Sequence, residues 1–136
     1  VVLAQYMPRE FRIALDTSYW QCTPLHLALR DSIGVDHAMV GAMLVEKWRF
    51  DPHLVETIRH QYNPELQDSD MMACVVAANQ ISKKLNAGMG GYASNVVVNE
   101  LPPCVEKRLG GALAGVAQSL GDMTALFEEA TQFAKV

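Results

Sequence analysis

The chain has 136 residues, half of them hydrophobic and 19% charged, with a net charge of −4. These values fit one domain with a real apolar core and exclude wholesale disorder. The acidic balance, with no Lys/Arg run longer than two, argues against a strong grip on nucleic acid, and no apolar run approaches the roughly 18 residues of a membrane span.

Val1-Val2-Leu3-Ala4 reads as the tail of a helix already under way, so the chain is expected to be a piece of a longer protein. Pro8 opens the next helix, where proline loses no hydrogen bond, and Phe11, Ala14, Leu15 and Ser18/Tyr19 share one face to about Trp20. Thr23-Pro24 predicts a hydroxyl cap and a new start, and Gly34 predicts a left-handed stop. Asp36 is the predicted N-cap of a helix whose inward stripe is Val40, Met43, Leu44 and Lys47/Trp48, with Gly41 permitting close packing. Asp51-Pro52 caps another helix with Leu54, Val55 and Ile58 inward, and Asn63-Pro64 breaks it. A longer helix runs from Asp68-Ser69-Asp70 through Met72, Val75, Val76, Asn79, Ile81 and Leu85 to the glycines 88, 90 and 91. Ser94 to Leu101 is expected to be an extended loop, because Val96-Val97-Val98 has no strand to pair with. Pro102-Pro103 begins a short helix to Leu109, and Leu113, Val116, Leu120, Met123, Phe127 and Ala130 predict one long amphipathic helix to the end. The expected fold class is all-α, an orthogonal domain of about six to seven helices spanning residues 1–136.

Cys22, Cys74 and Cys104 are few, odd in number and widely spaced, with no C-x-x-C pair, which points to a reducing, cytoplasmic compartment. Cys74 is expected to be a small buried hydrophobe, and Met39, Met43, Met71 and Met72 are expected in the core. Trp48 is expected to be a core anchor; exposure would instead mark a recognition site.

A hydrolytic metal centre needs several oxygen or imidazole donors converging on one point. His37 starts one apolar helix, His60 ends the next and Asn79 lies in the third, whereas His26 and His53 are placed on surface faces. Gln61 and Asn79 offer only neutral amide oxygens, poor ligands for a catalytic divalent ion. No phosphate-cradling glycine motif is present, since Gly88-Met89-Gly90-Gly91 follows a helix instead of preceding one.

The segment from Pro24 to Leu85, through Gly34-Val35-Asp36-His37-Ala38-Met39-Val40-Gly41, Trp48 and Pro52 to His60, resembles the HDOD domain, a relative of the HD phosphohydrolases of bacterial signalling proteins. The opening Leu3-Ala4-Gln5-Tyr6-Met7-Pro8 resembles the stretch before those motifs, and the resemblance weakens beyond about residue 91. It implies an HD-like helical fold, a missing N-terminal half, and a motif-bearing part (1–91) followed by a loop and C-terminal helices (92–136). It also implies that Gln61 stands where active HD relatives carry the second His of a pair, and Asn79 where they carry an Asp. The glycine-rich stretch of cyclic-dinucleotide phosphodiesterases does not follow His60, where the chain reads Gln61-Tyr62-Asn63-Pro64.

The expected function is therefore a non-catalytic signalling module that docks a partner protein, with His37, His60, Gln61 and Asn79 as a vestigial site and no cofactor. Two alternatives stand beside it: a metal-dependent phosphohydrolase completed by upstream ligands, and a sensor of a small anion. The stripe of Leu113, Val116, Leu120, Met123 and Phe127 either closes the domain's own core or forms an interaction surface, and a homodimer is one expected outcome. Membrane and nucleic-acid partners are not expected.

Overall fold

Prolines and capping side chains divide the chain into helices. The computed structural model describes residues 2–84, 100–123, 125 and 128. It contains α1 (Val2–Tyr6), α2 (Pro8–Trp20), α3 (Leu25–Ile33), α4 (His37–Lys47) and α5 (Pro52–His60). A 3-10 turn at Pro64–Leu66 leads to α6 (Asp70–Lys84), α7 (Pro103–Leu109) and α8 (Leu113–Ser119). Among the described residues there is no strand, so the fold is all-α as the residue pattern predicts. Among them, too, no helix is long and apolar enough to cross a membrane.

The local signals behave as expected. Pro8 and Pro52 open α2 and α5, and Gly34 ends α3 at φ +87°, a conformation that costs glycine little. Asp36 accepts from the Met39 N–H at 2.8 Å and Asp51 from the His53 N–H at 2.8 Å. Thr23 is the exception: its hydroxyl points back to the Gln21 carbonyl, and Pro24 occupies the cap position with no side-chain bond. Ser18 instead fixes the α2–α3 turn by donating to the Thr23 carbonyl at 2.7 Å.

Packing proceeds mainly between sequence neighbours, α2 on α3, α4 on α5, and α6 on α7 and α8. One core gathers Leu3, Ala14, Ala28 and Leu29, with Phe11, Leu25, Ile33 and Val40 packed around it. A second gathers Met72, Ala73, Val76, Ala77, Ile81, Leu101, Val105 and Leu113. The α4 and α5 helices approach closely: a β-carbon at Gly41 would meet Ile58 Cγ2 at 3.4 Å.

Several inward assignments are corrected. On α4 the buried residues are Ala38 and Ala42, whereas Met39, Met43 and Trp48 are exposed, Trp48 at 64%. Small residues face α5, so the bulky ones are left on the other side. Met71 is exposed too, and of the four methionines assigned to the core Met72 alone is buried. Cys74 is exposed, one residue off the α6 stripe of Met72, Ala73, Val76 and Ala77. The long final helix is interrupted: α8 stops at Ser119, Gly121 adopts φ +76°, and helix resumes at Met123. Leu113 is buried and Val116 and Met123 pack on the second core, so these three close the chain's own interior; Leu120 is 49% exposed. Phe127, Leu85, Ala130 and the predicted loop over 94–99 lie outside the described residues.

Candidate functional site

The α3–α4 turn places a buried carboxylate between two helix ends. Gly34 halts α3, and two residues later Asp36 caps α4 while only 1% exposed. One carboxylate oxygen takes the Met39 N–H at 2.8 Å. The other accepts from Arg30 Nε and Nη2, both at 2.7 Å. A desolvated carboxylate is costly unless paired and hydrogen-bonded. Asp36 is both, so its charge is already used inside the protein.

His37, the first residue of α4, bonds through Nε2 to the Tyr62 hydroxyl, two residues past the end of α5. Which of the two donates depends on the imidazole tautomer. The Tyr62 ring stacks on His26 of α3 with centroids 3.9 Å apart and 4° between planes, and meets His37 edge-on at 5.4 Å. Tyr62 thus joins α3, α4 and the segment leaving α5.

His37 reaches the surface and His26 and Tyr62 are half-buried, yet the protein packed around all three disfavours their charged forms. This desolvation lowers the His37 pKa from 6.5; Asp36 opposes the shift and Lys83 adds to it. His26 is lowered likewise, first by burial, with Asp36 opposing and Arg30, His37 and Lys83 assisting. Burial, then the Asp36 charge, pushes the Tyr62 phenol up to about 12. Lys83 of α6 is half-buried, and desolvation lowers its pKa as well. The corner is therefore two neutral imidazoles and a neutral phenol beside a consumed carboxylate.

The other residues singled out from sequence are bonded elsewhere. His60 Nε2 meets Glu56 Oε2 at 3.2 Å within α5, and Glu56 also holds Arg59, which reaches Glu46 of α4 at 3.1 Å. Gln61 donates to the Ile58 carbonyl at 3.1 Å. Asn79 is half-buried on α6. These contacts bring His37 together with Tyr62 and His26, and leave His60, the last residue of α5, and Gln61, its C-cap, bonded within α5. His26, expected on the surface, is thereby corrected. His26 and Arg30 stand four apart on α3, a spacing that shares a helix face and could have flagged the cluster. Tyr62 carried a weaker signal, a phenol before a chain break whose hydroxyl needs a partner once buried.

Among the described residues no three His, Cys, Asp or Glu side chains are grouped to hold a metal ion. Asp36 is committed to Arg30 and the helix cap, His37 to Tyr62 and His60 to Glu56. The residues present do not fit the divalent centre of an HD-type hydrolase.

Residues 1–64 match the family model of the HDOD domain. The match includes His37, His60, Gln61 and Tyr62 and ends before α6, so Asn79 lies outside it. No curated protein and no solved structure matches the chain.

Proposed function

We propose that this chain, whose residues 1–64 belong to the HDOD domain family, is a regulatory module of a cytoplasmic bacterial signalling protein that docks a partner and performs no hydrolysis. The observation that supports this best is the commitment of Asp36, the carboxylate of the His37 corner, to Arg30 and the α4 cap. A metal would have to displace a paired guanidinium and uncap a helix to reach it. Exposed Trp48, on a helix pair built around alanines and a glycine, agrees with a surface used for recognition.

The test is phosphoester and nucleotide turnover by the full-length protein with Mg²⁺, Mn²⁺ and Zn²⁺. The expected result is no turnover. Turnover abolished by His60→Ala would establish the metal-dependent phosphohydrolase instead.

One observation favours the anion sensor as a second reading. Lys83 is a half-buried cation whose charge is felt at His37 and His26, and the carboxylate near them, Asp36, is already paired. A small anion at about 100 times its dissociation constant would then stabilise the fold by about 2.7 kcal/mol. Thermal shifts with phosphate, and their loss in Lys83→Met, decide it.

A further inference from the structure

Met39, Met43 and Lys47 follow one another at four-residue spacing along α4 and are all exposed, Met43 at 59%. The row runs into the α4–α5 turn, where Trp48 and Phe50 stand 64% and 50% exposed with their rings 6.5 Å apart. Arg49 between them holds φ +60°, the left-handed region, which reverses the chain there. The turn thus alternates cation and aromatic, Lys47-Trp48-Arg49-Phe50, with every side chain at the surface.

The two cations of this turn lack direct ion-pair partners among the described residues. Glu46, on one side, is taken by Arg59 at 3.1 Å. Asp51, on the other, is engaged with the His53 N–H at the start of α5, the positive end of that helix. Lys47 and Arg49 form no ion pair among the described residues. Two cations free of direct ion pairs among the described residues therefore flank an apolar surface on a chain whose net charge is −4.

We propose that the α4 row and the Lys47–Phe50 turn form a docking surface for an acidic, amphipathic segment of a partner protein. Its apolar side chains would lie on Met39, Met43, Trp48 and Phe50, and its carboxylates would meet Lys47 and Arg49. Methionine adapts to varied apolar partners, and exposed aromatics beside cations supply both burial and charge. The proposal rests on the docking reading above and adds the partner's chemistry.

The test uses the full chain and two synthetic helical peptides with the same leucine spacing, one with glutamates at one end and one with lysines in their place. The acidic peptide is expected to bind, and Lys47→Glu/Arg49→Glu to weaken it about tenfold or more. Raising salt from about 0.05 to about 0.5 M should weaken it in the same direction. Arg49→Gly removes charge while relaxing the backbone, so binding lost in that variant is not lost folding. Equal binding of the two peptides, undiminished binding by the charge-reversed protein, or no binding of either overturns the inference. Photo-crosslinkers at Met43 and Leu120 in its native cells separate the two failures. Partner cross-links from Leu120 alone discard this surface and keep the docking reading, while cross-links from neither discard both.

Discussion

In the N-terminal core Leu3, Ala14, Ala28 and Leu29 carry the contact between α1, α2 and α3, whereas the C-terminal core gathers Met72, Val76, Ile81, Val105 and Leu113 from α6 to α8, with Leu101 just before α7. The first is narrow: two of its four buried residues are alanines. Alanine lets helix backbones approach but removes little apolar area from water. The N-terminal half adds polar ties at its joins, Ser18 to the Thr23 carbonyl, Arg30 to Asp36 and His37 to Tyr62. The C-terminal half relies on bulk, with an exposed clamp in which Arg108 holds Asp68 and Asp70 at 2.7 Å each. The difference teaches that the family-matched half is positioned by specific polar contacts and close approach, and the rest by aliphatic burial.

Removing bulk should hurt the second core most. Leu113→Ala, at a site 1% exposed, should cost about 2–5 kcal/mol in urea unfolding. The first core should instead resist added bulk: Ala28→Leu, also at 1% exposure, should cost about 1–3 kcal/mol. If Ala28→Leu proved neutral, the close approach of α2 and α3 would not be what holds that half.

Cutting a polar tie comes next. Asp36→Ala removes a cap and an Arg30 partner together and should cost about 2 kcal/mol, while Asp36→Asn keeps a capping oxygen and should cost less. Equal losses in the two variants would assign the whole effect to the Arg30 pair.

The same corner makes a pH prediction. The folded protein holds His26 and His37 below their ordinary 6.5, mainly by burial. The unfolded chain then binds more protons than the folded one below that value. Stability from this corner is therefore full above about pH 6.5 and falls as pH drops toward the folded-state pKa values. Unfolding at about pH 7.5 and about pH 5.5 should show the loss, reduced in His37→Gln. An unchanged slope in that variant would remove His37 from the account.

The smallest effect is a gain. Arg49→Gly frees a side-chain residue from φ +60° and should stabilise the fold by about 1 kcal/mol, read as a raised melting temperature. A loss would mean that Arg49 makes a contact worth more than its backbone strain.

Helix ends were legible in the sequence because they are local: Asp36, Asp51, Pro8 and Gly34 each act within three or four residues. The faces were less so. On α4 an apolar pattern rich in Met and Val hides that Ala38 and Ala42 are the buried pair, a choice made by the partner helix α5 and not by hydrophobicity. Gly121 was visible, yet whether a glycine is tolerated in a helix or breaks it at φ +76° depends on what packs around it. The corner of His26, His37 and Tyr62 unites residues up to 36 positions apart, and no spacing rule reaches that far. The place of His37 at the start of α4 is legible in the sequence; its bond to Tyr62 comes only from three dimensions.

Calorimetric titration of the full-length protein with Mn²⁺ and Zn²⁺, beside His37→Ala and His60→Ala, tests the central claim most directly. With Asp36 consumed and His37 tied to Tyr62, the account predicts no stoichiometric binding that either substitution removes. One ion bound per chain and lost in His37→Ala would contradict it.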